Sequence, residues 1–314
     1  MGVLLRNAYK VNNDYLLGMN RRIAFLILIF LVVAVIVGAP ALFAANRGQV
    51  SLEAQKIRVG VTINPYVEFV RKVGGDRVDV VVLVPPGADP HTFDLTPSAI
   101  KAVSDARIYF KVGAGLEFEV NWLGKLAELN PDMLIIDTSA DIELIGSEGH
   151  FDPHVWLSPK NAIKIVNSIF KGLAQIDPEG TALYKENQEA YIKELERLDT
   201  EVKEILSDLK TRVFVVHHSA WAYFARDYNL TQIALEEGGK EPTVEELIKI
   251  IEAVKAEGIK AIFAEPQFDI KQLEAITKEL GVEIILVDPV YFEEYVTHIK
   301  NFALSLKEAL NQIA

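Results

Sequence analysis

The chain has no cysteine among its 314 residues. That excludes disulfides and thiolate metal sites, so any metal must be held by nitrogen and oxygen. Histidine is scarce, six in all, and the close-spaced zinc motif His-Glu-x-x-His is missing. Positive charge is short as well. Positions 1 to 48 carry five basic residues and one acidic, which leaves 27 basic against 43 acidic, about −16, for the remainder. Such a surface repels nucleic acid and tolerates cations, although most of the charge is what a soluble exported surface carries anyway.

Two of the six histidines stand in one repeated tripeptide, Asp89-Pro90-His91 and Asp152-Pro153-His154. Thr96-Pro97 follows the first copy and Ser158-Pro159 the second. A hydroxyl ahead of proline is a helix start, because the hydroxyl accepts a free backbone N–H and proline at the first helical position loses no hydrogen bond. Both histidines are therefore expected on short loops entering helices. Proline also drives the preceding residue toward extended backbone, so each Asp-Pro fixes the approach to its histidine. A plain Asp-Pro turn with an incidental histidine would explain one copy; the repetition favours a site.

From Ile23 to Ala45 the chain is uncharged for 23 residues, directly after Arg21-Arg22. This reads as an export signal or a membrane anchor occupying positions 1 to 48, with Met1 or Met19 as the start. By either route the body is expected outside the cytoplasm. Beyond it, strand-length apolar runs at 57–61, 78–84, 108–112, 134–136, 213–216, 261–263 and 284–287 alternate with helical patterns such as Val244 to Ala256. In a pattern from Ala182 to Leu209, Tyr184, Tyr191, Leu198 and Ile205 recur every seven residues. The expected fold is α/β: two lobes with parallel sheets, 49–180 and 211–314, joined by one long helix over 181–210, with a ligand cleft between them. A helix packed along a single lobe would show the same periodicity.

In open parallel sheets ligands bind beyond the carboxyl ends of the strands. His217 and His218, Glu265 and Asp288 all stand at such ends. His91, His154, His218 and Asp288 lie 63, 64 and 70 residues apart, so four loops would supply four ligands. Three imidazoles and a carboxylate complete a tetrahedral Zn²⁺ shell and leave no place for a catalytic water. His217 points to the opposite side of its strand and is the alternate to His218. Glu265 is a fifth ligand, an acceptor that orients a histidine, or a turn residue. His150, with Glu143 and Glu148, belongs to a polar loop that is solvated or passes metal inward, and His298 reads as a packing or surface residue.

Four segments carry a family resemblance: Pro85-Pro86-Gly87-Ala88-Asp89-Pro90-His91, Asp152-Pro153-His154-Val155-Trp156-Leu157, His218-Ser219-Ala220-Trp221-Ala222-Tyr223-Phe224 and Val287-Asp288-Pro289. In this order the chain resembles the metal-binding solute receptors of ABC importers for zinc and manganese, the cluster 9 or TroA-like type. The resemblance covers nearly all of 56 to 314. It implies two α/β lobes on a backbone helix and assigns the metal to His91, His154, His218 and Asp288. Histidine at 218 points to Zn²⁺, with a manganese- or iron-preferring receptor of the same type as the alternative, since imidazole suits zinc and manganese prefers oxygen. The implied partners are an ABC permease with its cytoplasmic ATPase and the membrane through the N-terminal segment, for a monomer that is not an enzyme. Two rivals are an exported zinc hydrolase using Glu265 as general base, and an adhesion module with a structural metal.

Overall fold

Val59, Val61, Ile108, Tyr109 and Phe110 are all fully buried, because the strands that carry them are covered on both faces, as parallel strands in α/β proteins are. The computed structural model describes residues 56–312, apart from 148, 237–242 and 268–270. The expected signal or anchor at 1–48 and Glu148 therefore lie outside the described residues. Among the described residues no helix is long and apolar enough to cross a membrane.

The first sheet is built from β1 (Ile57–Val61), β2 (Val78–Val82), β3 (Ile108–Lys111) and β4 (Leu134–Asp137), in the order β2-β1-β3-β4. All its pairs are parallel, with Val59 opposite Ile108 and Ile108 opposite Leu134. Helices α1 (Asn64–Gly74), α2 (Pro97–Val103) and α3 (Glu117–Leu129) make the crossovers. A two-residue hairpin, β5 (Gly146–Ser147) with β6 (His150–Phe151), precedes α4 (Pro159–Ile176). The second sheet contains β7 (Val213–His218), β8 (Thr231–Glu236), β9 (Ala261–Ala264) and β10 (Glu283–Leu286), in the order β10-β9-β7-β8, again parallel. Its helices are α6 (Ala222–Asp227), α7 (Val244–Ala256), α8 (Lys271–Leu280) and the last, α9 (Tyr295–Asn311).

All seven expected strands are present, and 244–256 is helical as read. Strand β8 and the hairpin were not expected. Between the sheets runs α5 (Thr181–Ile205), 25 residues and about 37 Å long. Tyr184, Tyr191, Leu195, Leu198 and Val202 are buried along one side, as the seven-residue spacing predicts. The helix packs against α1 and α4 and also against α9. Tyr191 donates its hydroxyl to Glu68 of α1 at 2.9 Å, and Lys300 of α9 reaches Glu201 at 2.7 Å. The long helix thus serves both sheets, which decides against packing along one lobe. The larger of two apolar clusters contains Phe69 and Phe110 from the first half and Phe214, Phe263 and Tyr295 from the second, while a smaller one around Val215, Ile262 and Leu273 belongs to the second half alone. From Lys56 onward the chain packs as one unit.

Candidate metal centre

The repeated tripeptide folds the same way twice. Asp89 Oδ1 accepts the backbone N–H of His91 at 2.9 Å, and Asp152 Oδ1 accepts that of His154 at 2.8 Å. These are Asx turns, in which the side chain copies a backbone turn. The expected caps follow: Thr96 accepts from Ala99 N and Ser158 from Asn161 N, each at 3.2 Å. His218 arrives from the other half as the last residue of β7.

The three rings meet. His91 Nε2 lies 3.2 Å from His154 Nε2, and His218 Nε2 lies 3.3 Å from the same atom. Each of the opposite nitrogens faces a carboxylate: His91 Nδ1 and Glu117 at 2.7 Å, His154 Nδ1 and Asp152 at 2.8 Å, His218 Nδ1 and Glu236 at 3.2 Å. A carboxylate only accepts, so it holds the ring proton on Nδ1 and leaves the Nε2 lone pair bare. Three bare lone pairs this close repel unless a cation lies among them. Among the described residues no other group of three or more such side chains gathers in this way.

Burial tunes the rings. His154 is 3% exposed; desolvation, against the pull of Asp152 and with the help of the two neighbouring histidines, pushes its pKa down to about 4. The ring therefore stays neutral, as a ligand must. Burial also works against protonating His91, but the hydrogen bond and charge of Glu117 outweigh it and leave the pKa above the ordinary histidine value. Glu117 in turn sits below the ordinary carboxylate range, since His91 outweighs its own desolvation. The cluster opens on a cleft of about 800 Å³ whose lining includes Glu117, Gly149, His150 and Ser219.

The remaining candidates are arranged differently. Asp288 is not in the histidine cluster. Its Oδ1 accepts the N–H groups of Val290 and Tyr291 at 2.9 and 2.8 Å, and the residue borders a separate cavity with Tyr291 and His298. Glu265 directly follows β9, the strand whose Phe263 lies opposite Val216 of β7. It is 5% exposed and accepts from Gln267 Nε2 at 2.8 Å. Burial, then the charges of Asp288, Asp89 and Glu236, raises its pKa far above the carboxylate range. His217 lies on the opposite side of β7 and outside the cluster. His150 is exposed on the hairpin at the cleft. His298 stacks on Phe292 with ring centroids 4.2 Å apart, and burial lowers its pKa to about 4; it is a packing residue.

The sequence reading missed the three orienting carboxylates. Asp152 lay in plain view inside its motif, but only as a turn former. Glu117 and Glu236 are 26 and 18 residues from their histidines, and no local pattern marks them.

The chain is similar to several known proteins. A family model described as ZnuA, zinc-uptake complex component A periplasmic, matches residues 59–309. The zinc-binding lipoprotein AdcA of Streptococcus pneumoniae (TIGR4) is 32% identical over 253 residues, 74% of this chain and 50% of its own length. This chain thus spans about half the length of AdcA. The manganese-binding lipoprotein MntA of Halalkalibacterium halodurans is 28% identical over 254 residues, 78% of this chain and 84% of its own. A crystal structure of ZnuA superposes with a TM-score of 0.77 at 40% identity, over 81% of this chain and 99% of that one. With its two parallel sheets, long helix and histidine cluster, the chain belongs to the ZnuA family, the zinc-uptake complex component A.

Proposed function

We propose that this chain is an extracytoplasmic receptor that captures Zn²⁺ between its two α/β lobes and delivers it to an ABC permease driven by a cytoplasmic ATPase. The observation that carries the reading is the meeting of His91, His154 and His218 through Nε2, each with Nδ1 turned to a carboxylate. Imidazole donors favour Zn²⁺ over Mn²⁺, and the surrounding carboxylates attract any divalent cation. The zinc-binding AdcA and the manganese-binding MntA among its relatives support the same class of cargo.

Asp288 is the proposed fourth ligand. Its Oδ1 caps its own loop, so Oδ2 is the atom that would reach the metal. Four protein ligands hold an ion without offering it to a substrate. The hydrolase alternative asks Glu265 to act as a base beside the metal, yet Glu265 is not among the residues of the histidine cluster and its carboxylate is tied to Gln267 Nε2 at 2.8 Å. The lobes are tied through α5 and a shared core, so release proceeds by a small shift rather than a wide hinge.

X-ray absorption at the zinc edge of the loaded protein tests the ligand set. Three nitrogens at about 2.0–2.1 Å and one oxygen at about 2.0–2.2 Å are expected, with the protein oxygen lost in Asp288→Asn. Fewer than three imidazoles would overturn the reading.

A further inference from the structure

Glu119 is 6% exposed, which is rare for a carboxylate, and the capture of metal described above gives it no part. It sits two residues after Glu117 in the first turn of α3. Positions two apart on a helix point to opposite sides: Glu117 faces the cleft and His91, whereas Glu119 points into the protein, at the ends of β1 and β3. Its Oε1 accepts the N–H of Val112 at 2.7 Å and its Oε2 that of Gly113 at 2.8 Å. The hydroxyl of Thr62 also donates to it, and Tyr109 closes the network through Thr62 at 2.9 Å.

The segment these bonds hold needs holding. Gly113, Ala114 and Gly115 adopt φ of 77, 54 and 85° in succession, a run of left-handed backbone that disfavours any residue with a Cβ. A Cβ on Gly113 would meet Asp137 Oδ1 at 2.2 Å. Ala114 stays in place because its N–H donates to Ser139 Oγ at 3.2 Å. The helix that follows has no side-chain cap of its own at Leu116; Glu119 reaches back and closes the loop instead. Glu117 leaves directly from this loop, and Phe118 between the two acids packs on Phe93, two residues after His91, at 6.0 Å.

We infer that Glu119 is a positioning residue for the metal cluster: it locks the loop from Val112 to Leu116 so that Glu117 is held against His91 Nδ1, which keeps the His91 Nε2 lone pair directed at the cation. The inference rests on reading the histidine cluster as the metal site. Within the metal-free protein, however, it makes a claim that stands alone, about the tautomer of one ring.

The test uses the full chain with Glu117→Gln, Glu119→Gln, the double variant and the near-isosteric Thr62→Val, which removes one donor to Glu119 without emptying its place. Long-range ¹⁵N–¹H spectra of the metal-free protein report the imidazole tautomers. The Nδ1–H form is expected for His91 in the parent and a mixture of tautomers in Glu119→Gln, with His154 and His218 unchanged. Thr62→Val shifts His91 in the same direction, less far. Competition titration with Zn²⁺ then gives an affinity about tenfold lower for Glu119→Gln, and no further loss when it is added to Glu117→Gln. An unchanged His91 tautomer in Glu119→Gln and Thr62→Val, or losses in the double variant that multiply, would overturn the inference. Absence of tight Zn²⁺ binding by the parent would defeat the receptor reading instead, and the tautomer spectra would still decide the role of Glu119.

Discussion

His91 and His154 meet Nε2 to Nε2 at 3.2 Å, while their Nδ1 atoms are held by different carboxylates, Glu117 and Asp152. The two rings come from copies of one tripeptide. Their surroundings nevertheless set them apart, since the buried ring is pushed down to about 4 and the ring at the cleft is raised. One member of the pair is a permanently neutral donor and the other is where protons compete.

Replacing Asp152 by asparagine tests the orienting role of a carboxylate. Asparagine makes the same turn to the His154 backbone, but its neutral amide no longer fixes the ring proton on Nδ1. Zinc affinity is expected to fall about tenfold, the lower end of the range for groups that orient a ligand. Circular dichroism should be unaltered. Unchanged affinity in this variant would mean that packing alone orients the ring.

Binding should weaken as pH falls, and the sign follows from His91. A raised pKa means that the free site takes up a proton on His91 already above the ordinary histidine value of about 6.5, and a protonated imidazole cannot bind metal. Affinity is then expected to drop by about a decade per pH unit as one proton competes. In Glu117→Gln the source of the raised pKa is gone, so the onset moves to lower pH, whereas affinity at pH 8 is reduced. Dissociation constants measured from pH 5.5 to 8 check this; a flat profile down to 5.5 would contradict it.

Because one core spans both sheets, they should unfold together. Leu195→Ala, at a fully buried position on α5, is expected to cost about 2–5 kcal/mol and to shift a single transition. Denaturant unfolding followed both by Trp156 and Trp221 fluorescence and by circular dichroism gives the answer. Separate transitions would show lobes that fold independently.

How far the sequence carried depends on whether a feature is local. Strand β1, the helix at 244–256 and the two hydroxyl-proline helix starts were legible because each is written in adjacent residues. The histidine trio was legible as well: the loops at the carboxyl ends of parallel strands converge by topology, and only six histidines competed for the role. Strand β8 was missed because Gln232 interrupts its apolar run; that polar side chain accepts from Trp221 N at 2.6 Å. With the strand went Glu236, the partner of His218. Glu117 was invisible because its role depends on the left-handed loop before α3 and on the buried Glu119 behind it. The position of Asp288 depends on how its loop closes on the amides of Val290 and Tyr291, which no spacing reveals.

The most direct measurement is a competition titration of the metal-free protein with Zn²⁺ and with Mn²⁺, repeated on His218→Ala. One tight zinc site per chain, weaker for manganese by a large factor and lost in the variant, is the predicted result. No tight site in the parent, or a site that survives removal of His218, would contradict capture by the three histidines.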